Sequence, residues 1–69
     1  MEKHAIPSQG RYFVWREGTN EFRGPFFPQT RTERIDIFVR ETRDREGTWN
    51  GCYYRRLPVH IRALIKEAV

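Results

Sequence analysis

Three short segments of this chain carry arginine and aromatic residues together, and these side chains are suited to contacts with phosphate groups and nucleobases. The segments span residues 11–16, 34–40 and 49–56. An arginine guanidinium grips phosphate with a planar fork of N–H groups, and an aromatic ring stacks on a nucleobase. A surface that combines both groups is typical of proteins that bind single-stranded DNA or RNA. We therefore expect a nucleic-acid-binding protein with weak sequence preference.

The candidate binding residues are arginines and rings that strand alternation would place near one another. Eleven of the thirteen basic residues are arginine, and the formal net charge is +4. The candidates for phosphate contact and base stacking are Arg11, Tyr12, Trp15, Arg16, Arg34, Phe38, Arg40, Trp49, Tyr53, Tyr54, Arg55 and Arg56.

Residues for catalysis or for metal binding do not form a recognisable set. Ser8 is the only serine, so no serine, histidine and carboxylate trio suggests itself. Cys52, His4 and His60 fall far short of the paired spacing of a zinc site. We expect no catalytic residue, no metal and no cofactor, and no small-molecule substrate.

Four strands are expected to position the candidate residues. Residues 11–17, 34–42 and 48–56 are rich in strand-forming residues, and residues 21–27 form an edge or irregular strand because of Pro25. Strand alternation in residues 34–42 would put Ile35, Ile37 and Val39 on the core side and Phe38 among charges on the other side. Residues 43–47 read as a charged turn.

A short amphipathic helix is expected after the last strand. Pro58 suits a first helical position, and the apolar stripe that follows consists of Ile61, Leu64, Ile65 and Ala68. Residues 1–9 read as a flexible lead-in, and residues 10–69 read as one domain. The expected fold is α+β, with a four-stranded antiparallel sheet followed by one C-terminal helix.

Size and composition add expectations about assembly and location. A domain of 69 residues buries only about 60% of its unfolded surface, so a homodimer is the default expectation. No apolar run approaches the roughly 20 residues of a membrane span. A lone cysteine and the lack of a signal-peptide core suggest an intracellular protein.

The second half of the chain resembles a known family pattern. A segment ending Val39-Arg40-Glu41 is followed by a charged turn with Gly47, another strand, and Leu57-Pro58 at the start of the terminal helix. This order resembles the single-stranded-DNA-binding fold of transcriptional positive cofactor four and of the Pur-alpha and Whirly groups. The resemblance implies a curved four-stranded sheet that binds single strands, using Arg40 and the rings and arginines of the last strand. It also implies pairing of two copies through the terminal helix, at Ile61, Leu64, Ile65 and Ala68.

A protein-interaction module, docking on a larger complex, is the alternative interpretation. Arginine and aromatic residues are also enriched at binding hot spots between proteins. Arginines gathered on one surface would favour nucleic acid. Arginines paired individually with glutamates around an apolar patch would favour a protein partner.

Overall fold

The chain folds around a three-stranded antiparallel sheet with a helix on each face. The computed structural model describes residues 10–67. The elements, in chain order, are β1 (Tyr12–Arg16), β2 (Phe22–Phe26), α1 (Arg31–Thr42), β3 (Trp49–Tyr53), a 3₁₀ turn (Tyr54–Arg56) and α2 (Val59–Glu67). The strand order is β2-β1-β3, so β1 is the central strand. The expected lead-in at residues 1–9 lies outside the described residues.

The prediction of a four-stranded sheet with one terminal helix is wrong, because residues 34–42 belong to a helix. Thr30 has extended backbone angles, and its hydroxyl accepts a hydrogen bond from the Glu33 N–H at 3.1 Å. The Glu33 carboxylate in turn accepts from the Gln29 N–H at 2.7 Å. The first bond satisfies an N–H group that a helix start leaves free, the second ties the preceding residue to the first turn, and together they fix the start of α1 at Arg31.

The inward side of α1 therefore differs from the one that strand alternation predicted. The helical period turns Arg34, Phe38 and Thr42 toward the sheet and leaves them half-buried. Ile35 and Val39, expected in the core, are 55% and 42% exposed. The helix ends where the Arg43 N–H bonds the Val39 carbonyl, and Asp44 then adopts a positive φ of 60°.

The main core lies between the sheet and α2. Phe13, Leu57, Ile61 and Ile65 are buried there, and half-buried rings surround them. The Pro58 carbonyl accepts from the N–H groups of Ile61 and Arg62, which starts the helix one residue later than expected. Burial of each large apolar side chain contributes about 1.5–3 kcal/mol, so this face supplies most of the packing energy.

The other sheet face packs against α1 more loosely. Tyr12 and Val14 of β1 are buried on this face, whereas no residue of α1 is fully buried. Gly51 of β3 leaves room for Tyr12 and Phe38, because a Cβ there would collide with the Tyr12 hydroxyl and approach Phe38 Cδ1 to 3.1 Å. A glycine in the middle of β3 thus lets α1 approach the sheet.

Candidate functional site

The expected open sheet face is not present, because α1 and α2 cover both faces. Tyr12 is only 5% exposed. Trp15 is half-buried against the core between the sheet and α2. Phe38 projects from α1 toward β3 and is also half-buried. Trp49 is also half-buried, and its indole N–H donates to the Glu46 carbonyl at 3.0 Å. These four rings are buried or half-buried, so they do not form an open platform for bases.

The proposed helix-to-helix interface is also used within the monomer. Ile61 and Ile65 are 0% and 7% exposed, since they pack on Phe13 and Leu57 of the same chain. Leu64 is half-buried, and Ala68 lies outside the described residues. The stripe of α2 is consequently a core-forming face.

The topology gathers arginines at one end of the sheet. The start of β1 pairs with the end of β3 and with the end of β2, and residues 27–30 connect β2 to the start of α1. We call this region the arginine end; its members are Arg11, Arg31, Arg34, Arg55 and Arg56. Four of the five were expected from the sequence. Arg31 was missed, and the capping pattern of Thr30 and Glu33 was the signal that could have placed it beside Arg34.

Two of these arginines lie on tyrosine rings. The guanidinium carbon of Arg11 lies 4.2 Å from the centroid of the Tyr54 ring, and that of Arg34 lies 6.0 Å from the Tyr53 ring. The Tyr54 N–H also bonds the Arg11 carbonyl at 2.9 Å, which ties the two residues together. A guanidinium held on a ring loses rotational freedom while its N–H edge remains free to bind.

Ion pairs among the described residues involve other arginines. Arg16 pairs with Glu21 at 2.7 Å, and Glu41 accepts Arg23 at 2.8 Å and Arg40 at 3.7 Å. Within residues 10–67, no member of the arginine end forms an ion pair with a carboxylate. Two expected candidates, Arg16 and Arg40, are therefore separated from the other four arginines and partly neutralised.

The far end of the sheet holds the balancing carboxylates. Glu17, Glu21, Glu41, Asp44 and Glu46 follow β1, precede β2 or surround the end of α1. At the arginine end Glu33 is engaged by the helix cap. The net positive charge is thus distributed unevenly along the sheet.

Burial raises the pKa of two groups beside the arginine end. The pKa of Tyr12 is raised by burial, and the nearby Arg34 charge offsets part of this effect. The pKa of the Cys52 thiol is raised by burial as well, against smaller opposing effects of Trp15 and Arg56. Both groups therefore stay protonated and neutral at physiological pH. Cys52 is a poor nucleophile in this state, because the thiolate is the reactive form.

A shallow cavity extends the basic surface beyond Tyr54. It has a volume of about 440 Å³, and its lining residues are Tyr54, Val59, Arg62, Ala63 and Lys66. Two more cations thus lie beside a ring that already carries Arg11.

Residues 10–67 contain neither a metal-binding cluster nor a membrane-spanning helix. No group of three histidine, cysteine, aspartate or glutamate side chains in residues 10–67 is arranged to hold a metal ion. No helix in this range has the length and apolar character needed to cross a membrane. Comparisons with protein-family models, curated proteins and solved structures give no significant match.

Proposed function

We propose that this protein binds nucleic acid without catalysis, through contacts of the arginine end with the phosphate backbone. The observation that carries the proposal is the set of five arginines without described ion pairs, two of which lie on tyrosine rings. Guanidiniums fixed in this way present their N–H edges to phosphate oxygens at a low cost in side-chain entropy.

Phosphate contact rather than base stacking is the binding mode that the geometry supports. Tyr53 and Tyr54 are half-buried and each already lies beside a guanidinium. The remaining rings of the site belong to the packed interior. Phosphate contacts carry no sequence information directly, so we expect weak sequence preference and only a modest difference between single strands and duplexes.

The uneven distribution of charge gives the bound nucleic acid a preferred location. Attraction to phosphate and release of counterions occur wherever unpaired cations gather. At the far end of the sheet, Arg16 and Arg23 face carboxylates at salt-bridge distance, which lowers their attraction for phosphate. Binding should therefore depend on position and not on net charge alone.

The test compares two double variants that remove the same charge from opposite ends. Arg55→Ala with Arg56→Ala removes two exposed members of the arginine end, and Arg43→Ala with Arg45→Ala removes two exposed arginines after α1. Fluorescence anisotropy of labelled single-stranded and duplex oligonucleotides at low salt gives the affinities. We expect a loss of roughly tenfold to a hundredfold for the first pair, because charge-assisted hydrogen bonds contribute about 1.5–3 kcal/mol before screening. The second pair should lose less than about threefold.

Equal losses in both variants would show a non-specific effect of net charge and would reject the arginine end as the site. Undetectable binding of every oligonucleotide by the unmodified chain would reject the proposed function itself. A further outcome is a large preference for single strands that is lost in Trp49→Ala. It would show that base stacking, and not phosphate contact, carries the binding.

A further inference from the structure

The outer edge of β3 is free to pair with another strand. The pairs Glu17 with Thr48 and Arg11 with Tyr54 are hydrogen bonded, and this places the bonds to β1 on the even-numbered residues of β3. The N–H and C=O groups of Trp49, Gly51 and Tyr53 therefore point away from β1. Within residues 10–67 no strand pairs with this edge.

The opposite edge of the sheet, formed by β2, is protected against the addition of another strand, whereas the edge formed by β3 is not. Strand β2 contains Pro25, and its pairing with β1 shifts register between Tyr12 and Val14. Proline and irregular pairing are common devices that block addition of a further strand. Strand β3 has five residues in regular register and neither device.

Two exposed apolar residues of α1 overhang the free edge. Each helical residue advances the side-chain direction by about 100°. Phe38 lies over Gly51 of β3, and Glu41, about 60° to one side, reaches Arg23 of β2. Ile35 and Val39 lie about 60–100° to the other side of Phe38 and hence beyond β3. Their 55% and 42% exposure thus falls beside the unpaired strand.

We propose that the occupant of this edge is a second copy of the same chain. An antiparallel β3–β3 pair around a two-fold axis at Gly51 would match Trp49 with Tyr53 of the partner subunit. The outward N–H and C=O groups of Trp49, Gly51 and Tyr53 would then form hydrogen bonds between the subunits. The two three-stranded sheets would join into a single sheet of six strands. The two α1 helices would lie side by side on one face of that sheet.

The spacing of strands and helices agrees with this arrangement. Helix α1 contacts β1, and its Phe38 side chain reaches over Gly51 of β3. A helix axis above the midpoint of these two strands would lie about one strand spacing, or about 4.8 Å, from the two-fold axis. The two helices would be about 10 Å apart, within the range of directly packed helices. Ile35 of each copy would then face the partner's Val39.

Two-fold symmetry also fixes where the basic surfaces of such a dimer lie. The arginine ends would lie at opposite ends of the six-stranded sheet, so the dimer would offer two separate basic surfaces.

The first test uses Val39→Glu and its matched control Val59→Glu. Both change an exposed helical valine, and Val59 is 71% exposed on α2, on the other face of the sheet. Sedimentation equilibrium of the full chain should give a dimer. We expect Val39→Glu to raise the dissociation constant of the dimer by about tenfold or more, because a two-fold interface contains the substituted residue of both subunits. Val59→Glu should leave it unchanged.

A second measurement does not depend on any variant. Amide hydrogen exchange, followed by NMR at low and high protein concentration, reports which backbone groups become protected on association. The Trp49, Gly51 and Tyr53 amides should gain protection with concentration, whereas the outward-facing Phe22 amide of β2 should not. A monomer at all concentrations, or protection confined to β2, would overturn the proposal. Dissociation by Val59→Glu but not by Val39→Glu would overturn it as well.

Discussion

The start of α1 offers the most direct test of the fold, because one threonine hydroxyl distinguishes the helix from a strand. The Thr30 side chain accepts the Glu33 N–H at 3.1 Å and is the N-cap of α1. Thr30→Ala removes this bond and leaves the Gln29 to Glu33 bond in place. The helix depends on its cap more than most do, since none of its residues is fully buried.

The expected destabilisation is about 1 kcal/mol, within the range of about 0.5–2 kcal/mol for loss of a threonine cap. In a domain of this size, this corresponds to a fall in the unfolding temperature of about 4–8 °C. Thr32→Ala is the matched control, because Thr32 is an exposed residue of the first turn. The Thr32→Ala change should leave stability unchanged or raise it by about 0.5 kcal/mol, because alanine is the better helix former.

Thermal unfolding followed by circular dichroism at the helical band measures both variants. A Thr30→Ala variant as stable as Thr32→Ala would refute the assignment of residues 31–42 to a capped helix. A helical signal in the unmodified chain that accounts for α2 alone would refute it independently.

Three further predictions concern the α1 face of the sheet and its neighbours. Gly51→Ala should destabilise the protein by about 1–3 kcal/mol in urea unfolding, because the new Cβ meets the Tyr12 hydroxyl and Phe38; a neutral result would contradict the close approach of α1. Tyr53→Phe should be neutral or stabilising, because the buried Tyr53 hydroxyl has no hydrogen-bond partner among the described residues; a loss of more than about 1 kcal/mol would reveal a partner for it. Stability should also fall as pH rises above 9.0, the ordinary thiol pKa, because burial raises the pKa of Cys52 and of Tyr12 and the unfolded chain then loses these protons first. Urea midpoints at about pH 7 and about pH 10 measure this fall, which should be smaller in Cys52→Ala.

The strands and the terminal helix could be predicted from the sequence, because local signals agree with the fold there. Gly18 marks the turn after β1, and Pro25 marks β2 as an edge strand. Pro58 and the spacing of Ile61 and Ile65 indicate α2 and its buried face. In each case the chemistry of the turn or cap and the apolar period point to the same element.

The segment after Thr30 was mispredicted because two local signals conflict. Alternation of Ile35, Ile37 and Val39 favours a strand, whereas Thr30 and Glu33 have the spacing of a capping box. In the helix, Ile35 and Val39 are exposed, so burial does not explain the alternating pattern. Alternation of apolar residues in this segment is therefore not evidence of a buried strand face.

The candidate site was predictable in composition but not in shape. Arg11, Arg34, Arg55 and Arg56 were named from their neighbours in sequence, and topology brings them together. The rings were expected to face solvent, but a second helix covers the face that would have displayed them. Sequence spacing alone does not reveal that cover, because it depends on α1 being a helix.

The salt dependence of binding tests the central claim most directly. If five arginines contact phosphate, the logarithm of the association constant should fall against the logarithm of salt concentration with a slope of about −4.5 for duplex DNA and about −3.5 for a single strand. Arg55→Ala with Arg56→Ala should reduce the duplex slope by about 1.8, while Arg43→Ala with Arg45→Ala should leave it unchanged. A slope near zero, or the same slope in both double variants, would contradict phosphate binding at the arginine end.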